Sequence, residues 1–550
     1  VVEMAAIELE GVSFRYWGSG NTSALDEIEL RARPGDMVAV LGPQGAGTST
    51  LCRLVTGLLD ELGSADGERH ITGQAAMLGD DPEAQLTGMT SFAVDEVRLP
   101  RRLRGDAPHI ADPAADRAMD ALGIVHLAHR RLDTLSGGER QLVALASLMT
   151  LDPAALVLDQ PSLSLDRVAR ERLLHALARY RAGGGAVLLA GHQHDELSAA
   201  ADRVLFMRGG RIVAEYDRHA CAAADPLKSG TEGSGRGPAA QSIDAGLLAS
   251  YGVWDALGAT ATSHAPTPSE GQILLRARGL GVRRGSRQIL GDLNLKVSAG
   301  EAVVVVGPNG SGKSTLLRAL AGLLEDEARV DGQIVVGDAG SEIALTGRPA
   351  YERADHLAWV GQDPGAQLSA PTVRAELEKA VPLRQRRRSR SFLPGETDDE
   401  LGETSPPGVR RAGRRPNPDP AHLPSCPGGA RRRGLGFLGR ARMQARSELR
   451  AARAHRVAAI LDISGLSEQA DSHPYDLTPD RRKDLVIATA LLLRPAVLLL
   501  DEPTLGRDAE GMKRLQHIVQ VHRDLGGAVL ATTHDMRWAH DVADQIVELT

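Results

Sequence analysis

Hydrophobic positions fall into short aliphatic runs, each followed by glycines or by an acidic residue. Val303 to Val306 is a β-branched run, then comes a glycine-rich turn, then leucines at 316, 317, 320, 323 and 324. That order predicts strand, loop and amphipathic helix. Val497 to Leu500 and Gly527 to Thr532 are further buried-strand candidates. The pattern occurs twice. AVLGPQGAGTSTLCRLVTGLL from Ala39 returns as VVGPNGSGKSTLLRALAGLL from Val305, and ALVLDQPSLSLD (Ala155 to Asp166) returns as VLLLDEPTLGRD (Val497 to Asp508). GHQHDEL at Gly191 matches THDMRWA at Thr533. Gly42 and Gly307 are 265 residues apart, Asp80 and Gln362 are 282 apart, and Ser136 and Thr478 are 342 apart; the last offset also relates Asp159 to Asp501 and His192 to His534. The second copy therefore gains 17 residues, then 60 more, and afterwards runs without a net gap. One mostly parallel α/β unit is used twice, over 4–220 and 271–550. Residues 221–270, rich in Ala, Gly, Ser and Pro, are expected to be a flexible linker.

Composition changes this picture in one place. The 550 residues carry a net charge of −7, with 42% hydrophobic and 25% charged residues, as in ordinary globular chains. Aromatics at 3% weigh against stacking-based single-strand nucleic-acid binding. No apolar run reaches the roughly 18 residues that span a bilayer, and Cys52, Cys221 and Cys426 follow no metal-ligand spacing. The composition is that of a cytosolic multidomain chain. From Arg384 to Arg450, however, 16 arginines face 7 acids, a balance of +9 that leaves −16 on the rest of the chain. Its proline- and glycine-rich centre predicts disorder. It reads either as a tolerated insertion or as a contact for anionic lipid or nucleic acid.

The chemistry concentrates in the second copy. Gly307, Pro308, Asn309, Gly310, Ser311, Gly312, Lys313, Ser314 and Thr315 form a phosphate-binding loop between strand and helix. Its glycines admit phosphate to the backbone, Lys313 suits the β- and γ-phosphates of ATP, and Ser314 suits Mg²⁺. Asp501 closes an apolar strand and can hold Mg²⁺ through water. Glu502 is placed to polarise the attacking water, His534 to orient the γ-phosphate, and Gln362 to reach Mg²⁺ and the nucleophile.

Together with LSGGE at Leu135 to Glu139, these segments resemble the nucleotide-binding domains of ABC ATPases, over nearly all of the chain except linker and insert. The resemblance implies two P-loop domains, each with a sheet core and a helical signature subdomain, paired head to tail. Each ATP then lies between one domain's phosphate loop and the other's signature, so Ser136, Gly137, Gly138 and Glu139 complete the Lys313 site. DDPEAQL (Asp80 to Leu86), QDPGAQL (Gln362 to Leu368) and HPYDL (His473 to Leu477) are similar to the ATPase subunits of energy-coupling factor (ECF) transporters. By family position Tyr16 of the first copy would stack on adenine; its counterpart Arg284 reads either as a stacking guanidinium or as a solvated arginine.

The first copy departs from the pattern. Its loop, with Gly42, Gly45, Gly47, Ser49 and Thr50, has Thr48 in place of lysine; Asp80 replaces glutamine and Gln160 replaces glutamate, while Asp159 and His192 remain. The second signature reads Thr478, Pro479, Asp480, which removes an N–H and places negative charge where phosphate would bind. Head-to-tail pairing sorts every loss into one site and leaves the other complete.

The expected function is the ATP-hydrolysing motor of an ECF-type importer of vitamins or transition-metal ions. It would sit at the cytoplasmic face of the membrane, with a separate transmembrane coupling subunit and a membrane substrate-binding subunit. The rivals are a tandem sugar-importer ATPase, a tandem ABC protein acting on ribosomes, and an ATP-dependent scaffold. The chain begins with Val and stops within the equivalent of the first strand of a terminal hairpin. That suggests either a fragment or a second domain without its last hairpin.

Overall fold

The computed structural model describes residues 5–20, 22–81, 84–218, 243–258, 271–325, 327–337, 342–381 and 450–549. Each copy places a mostly parallel core sheet beside a small antiparallel sheet and a helical subdomain. The first core sheet orders its strands Arg211–Asp217, Arg203–Arg208, Met37–Leu41, Ala186–Gly191, Ala155–Asp159 and Ala75–Leu78. The second orders them Leu357–Val360, Val497–Asp501, Ala528–Thr532, Ala302–Val306 and Gln545–Glu548. The register repeats as well: Met37 pairs with Val187 in one sheet, and Ala302 with Val529 in the other. Strands such as MVAVL and AVVVV are buried at every position, the pattern of parallel strands covered on both faces.

Sequence and structure differ at the helix after the second phosphate loop. It runs Lys313–Ala321, because Gly322 adopts φ 74° and ends it. Leu323 and Leu324 therefore lie beyond the helix.

The linker expectation is corrected more substantially. Residues 219–242 and 259–270 lie outside the described residues, but 243–258 form an ordered segment. It contains the helix Ala245–Ser250 and a short strand Trp254–Asp255, which pairs in parallel with Gln193–His194. Composition could not reveal this, since the bonds that hold Trp254 go to His192 and Asp535, far away along the chain in both directions. Of the arginine-rich insert, only Arg450 is described, at the start of a helical stretch over 450–463.

The two copies meet head to tail. Asn309 of the second phosphate loop donates its backbone N–H to Asp166 Oδ2 (2.8 Å) and its side-chain amide to the Ser164 carbonyl (3.0 Å). Reciprocally, the Gln44 backbone N–H of the first loop donates to Asp508 Oδ2 (3.0 Å), and its side chain donates to the Gly506 carbonyl. Asp166 and Asp508 use their other oxygen to cap their own helices, at Ala169 N (2.9 Å) and Gly511 N (2.7 Å). Each therefore joins a helix start to the opposite domain.

Candidate functional site

The loop Gly307 to Gly312 forms its cradle because side chains are excluded. A Cβ on Gly307 would sit 2.4 Å from the Leu549 carbonyl, and one on Gly312 (φ 95°) would sit 2.6 Å from Leu290. Lys313 opens the following helix and donates to the Gly307 and Pro308 carbonyls (2.8 and 3.1 Å), which keeps the ammonium at the mouth of the loop. Burial lowers its pKa, while Glu502, Asp166 and Asp501 oppose the shift. Ser311 Oγ is buried without a hydrogen-bond partner, an orphaned polar atom in a cradle suited to phosphate oxygens. Ser314 donates to Asp501 Oδ1 at 2.9 Å. Gln362 is exposed two residues past the strand Leu357–Val360, which pairs with the Asp501 strand. Hydroxyl, carboxylate and amide oxygen make a hard donor set that fits Mg²⁺.

Glu502 follows Asp501 with φ 49°, a left-handed conformation that turns the side chain off the strand axis. It is 6% exposed, and burial raises its pKa to about 7, partly opposed by Lys313. Thr532 holds both acids: its Oγ1 donates to Asp501 Oδ1 (2.9 Å) and accepts from Glu502 N (3.1 Å). His534 Nε2 lies 3.2 Å from Lys313 Nζ and 3.3 Å from Glu502 Oε1. Burial, reinforced by Lys313, lowers the His534 pKa to about 4, so the ring is neutral near pH 7. Neutral His534 thus stands within hydrogen-bonding distance of both the lysine and the glutamate, a geometry fit to hold a phosphoryl group and accept a proton.

Across the interface stands the first copy's signature. Ser136 caps the helix Gly137–Met149, accepting from Glu139 N (3.3 Å), while Glu139 Oε2 accepts from Ser136 N (2.8 Å). Gly138 is enforced by close approach: a Cβ there would lie 2.7 Å from the Ser164 carbonyl and 3.2 Å from Asn309 Nδ2. The helix start of one copy therefore abuts the phosphate loop of the other.

Two of the expected site residues carry ion pairs of their own. Glu139 is engaged by the helix cap and by Arg130 (2.8 Å), so its carboxylate serves the signature's shape. The guanidinium of Arg284 is paired with Glu325 on the surface.

In the other half-pair the elements recur with different chemistry. Gly42, Gly45 and Gly47 repeat the loop, and Gly47 (φ 102°) starts the helix Thr48–Val55. With Thr48 in place of lysine, His192 Nδ1 donates to the Gly42 carbonyl (2.8 Å), the counterpart of the carbonyl Lys313 uses. Gln160 keeps the left-handed backbone at φ 52°. Ala190 stands where Thr532 stands, so the hydroxyl that bonds Asp501 has no counterpart beside Asp159, which is 0% exposed. Burial raises its pKa to about 6; Ser49 offsets part of this and Asp80, exposed past Leu78, adds to it. Tyr16 lies over the helix start, its hydroxyl 3.3 Å from Thr50 Oγ1.

The second signature is degenerate in another way than its charge suggested. Thr478 and Pro479 open the helix Pro479–Leu492 without a side-chain cap. Asp480, however, is 3% exposed and neutralised by Arg514 at 2.5 Å. Its carboxylate is drawn into the domain and presents no open negative charge to phosphate, which corrects the expectation.

Sequence reasoning missed Asp166, Asp508 and Thr532. The aspartates ended both copies of a recognised repeat, a signal that was present. Thr532 had none, since a threonine at a strand end is ordinary.

Comparisons with known proteins agree with this architecture. A family profile described as ABC transporter matches residues 25–163 and 290–505, one segment in each copy. An ABC transporter ATP-binding protein of Bifidobacterium longum is 29% identical over 98% of this chain, which spans 64% of that protein's length. One of Methanosarcina mazei is 26% identical over 99% of the chain and 93% of its own length. A Bacillus subtilis ATP-binding protein named for HMP/thiamine import is 24% identical over 99% of this chain and 89% of its own. Among solved structures, an archaeal ribosome recycling factor crystallised with a ribosomal stalk protein matches with a TM-score of 0.57 at 16% identity, over 98% of this chain and 87% of its own.

Proposed function

From the premise that the chain belongs to the ABC transporter family of ATPases, we propose that it is the motor subunit of an ECF-type importer that hydrolyses ATP at one of its two sites. The observation that carries the one-site reading is the seating of Asn309 against Ser164, Asp166 and Gly138, which puts the Lys313 loop opposite the intact signature. Lys313 and the loop hold the β- and γ-phosphates, and Ser314, Asp501 and Gln362 supply oxygens for Mg²⁺. Bound Mg²⁺ would neutralise charge on the transferring phosphoryl group. Water attacks γ-phosphorus, its proton passes to Glu502, and ADP leaves; His534 orients the nucleophile. Ser136 and Gly138 close the site from the opposite domain. The first-copy site lacks cation and base, and serves binding or structure.

The pH dependence follows from Glu502. Its carboxylate is the reactive form and its pKa is about 7, so kcat/KM for ATP should fall as pH drops from 8 to 6. A flat profile across that range would remove Glu502 as the base.

For transport, support comes from the HMP/thiamine name of one relative and from a groove of about 470 Å³ in the second copy. The groove is lined by Leu323, Tyr351, Trp359, Val486 and Leu493, and Tyr351 is 75% exposed. It would seat an apolar helix of a transmembrane coupling subunit. Among described residues no helix is long and apolar enough to cross a membrane. Affinity purification of the tagged chain from detergent-solubilised membranes should recover integral membrane partners. Tyr351→Glu should lose them while basal ATPase activity persists. Recovery of ribosomes in their place would favour the translation-linked alternative.

A further inference from the structure

The segment 243–258 touches the chemistry of both copies. Tyr251 stacks on Phe206 of the first (4.4 Å between centroids), and Gly252 (φ 75°) lies against Pro43 of the first phosphate loop. The Gly252 carbonyl accepts from Ala509 N of the second copy at 3.2 Å. Trp254 N donates to the His192 carbonyl (3.1 Å) and Ala256 N to the His194 carbonyl (2.9 Å), lacing the strap to the histidine loop of the first copy. The Trp254 side chain then crosses to the histidine loop of the second. Its Nε1–H donates to Asp535 Oδ2 at 2.7 Å, and the Arg537 guanidinium packs over its ring at 4.5 Å while donating to the Asp255 carbonyl. Asp535 directly follows His534. Its other oxygen caps the next helix at Trp538 N (2.9 Å), and its N–H donates to Thr533 Oγ1 (3.0 Å).

We propose that Trp254 is a positioning residue for hydrolysis: the strap from the interdomain segment fixes Asp535, hence His534, and ties that loop to its counterpart in the first copy. This rests on the reading of the Lys313–Glu502 site as the hydrolytic one. His534 stands between Lys313 and Glu502 at 3.2 and 3.3 Å, so a small rotation of its loop would lose both contacts. A buried indole N–H on a carboxylate is a short, directional restraint. Because the strap also binds the His192 and His194 carbonyls, movement at either histidine loop is transmitted through it.

Trp254→Phe keeps an aromatic ring under Arg537 and removes the donor together with some buried ring volume. Expected is a fall in kcat of about three- to tenfold, with KM for ATP and Tm close to the parent values. Unchanged kcat overturns the proposal. So does a loss of activity that follows a loss of Tm, because the segment would then be merely structural. Glu502→Gln assayed in parallel separates the two readings. If it retains turnover, the site assignment fails; if it is inactive while Trp254→Phe matches the parent, only the positioning role fails.

Discussion

Glu502→Gln should reduce steady-state ATP hydrolysis to background, a loss of about 10²–10⁴-fold, while ATP still binds. Glutamine keeps the shape of the side chain and cannot take a proton from water. The first copy already carries this substitution as Gln160, on a backbone of the same left-handed form (φ 52° against 49°). The reverse change, Gln160→Glu, should therefore add no second working site. Three other parts would still be missing there: the ammonium that Thr48 replaces, the hydroxyl that Ala190 lacks, and the signature N–H that Pro479 removes. Single-turnover and steady-state assays of both variants test the pair. Appreciable turnover in Glu502→Gln would falsify the one-site assignment.

The asymmetry is built from small differences between equivalent positions. Thr532 holds Asp501 and the Glu502 amide together; Ala190 offers buried Asp159 no such hydroxyl. Lys313 and His192 both bond the first carbonyl of their loop, so the first site spends its histidine on loop shape. In the second site the lysine does this, and His534 is left to face Glu502. Loss of one cation therefore changes the work of a neighbouring residue.

Much of this was legible in the chain. The repeat, the strand–loop–helix unit around Lys313 and the positions of Asp501, Glu502 and His534 are local patterns with fixed spacing, and the structure places them together. Gly138 was legible too, although its reason, the approach of Asn309 from the other copy, is a long-range contact. Other features were not legible. Arg284 and Glu139 form ion pairs with Glu325 and Arg130, partners that no periodicity identifies. Asp480 is turned inward by Arg514, 34 residues on. Trp254 lies in a stretch whose composition resembles a linker, and its order derives from two domains that close on it.

The largest stability effect is expected at Arg507. It is fully buried, bonding Asp484 Oδ1 at 2.6 Å and the Pro503 carbonyl at 2.7 Å, while its second amino group has no hydrogen-bond partner. The equivalents in the first copy are Leu165 and Leu142, both in an apolar core at 1% and 5% exposure. The same fold thus solves one position with an ion pair and with two leucines. Burying two charges is expensive, so a leucine pair is often as stable as the ion pair, whereas removing one partner leaves an uncompensated charge. Arg507→Leu alone should destabilise the second domain by about 3–5 kcal/mol, with Arg514 at 3.0 Å the only remaining counter-charge bonded to Asp484 among the described residues. Adding Asp484→Leu should recover most of that loss and bring Tm near or above the parent. The interdomain bond from Gln193 Nε2 (3.0 Å) goes to the Arg507 backbone carbonyl, so the double variant should also retain ATPase activity. Denaturant melts of the two single variants and the double variant give the coupling directly. Additive losses, with no recovery in the double variant, would show that the second copy has come to depend on the pair for more than filling the site.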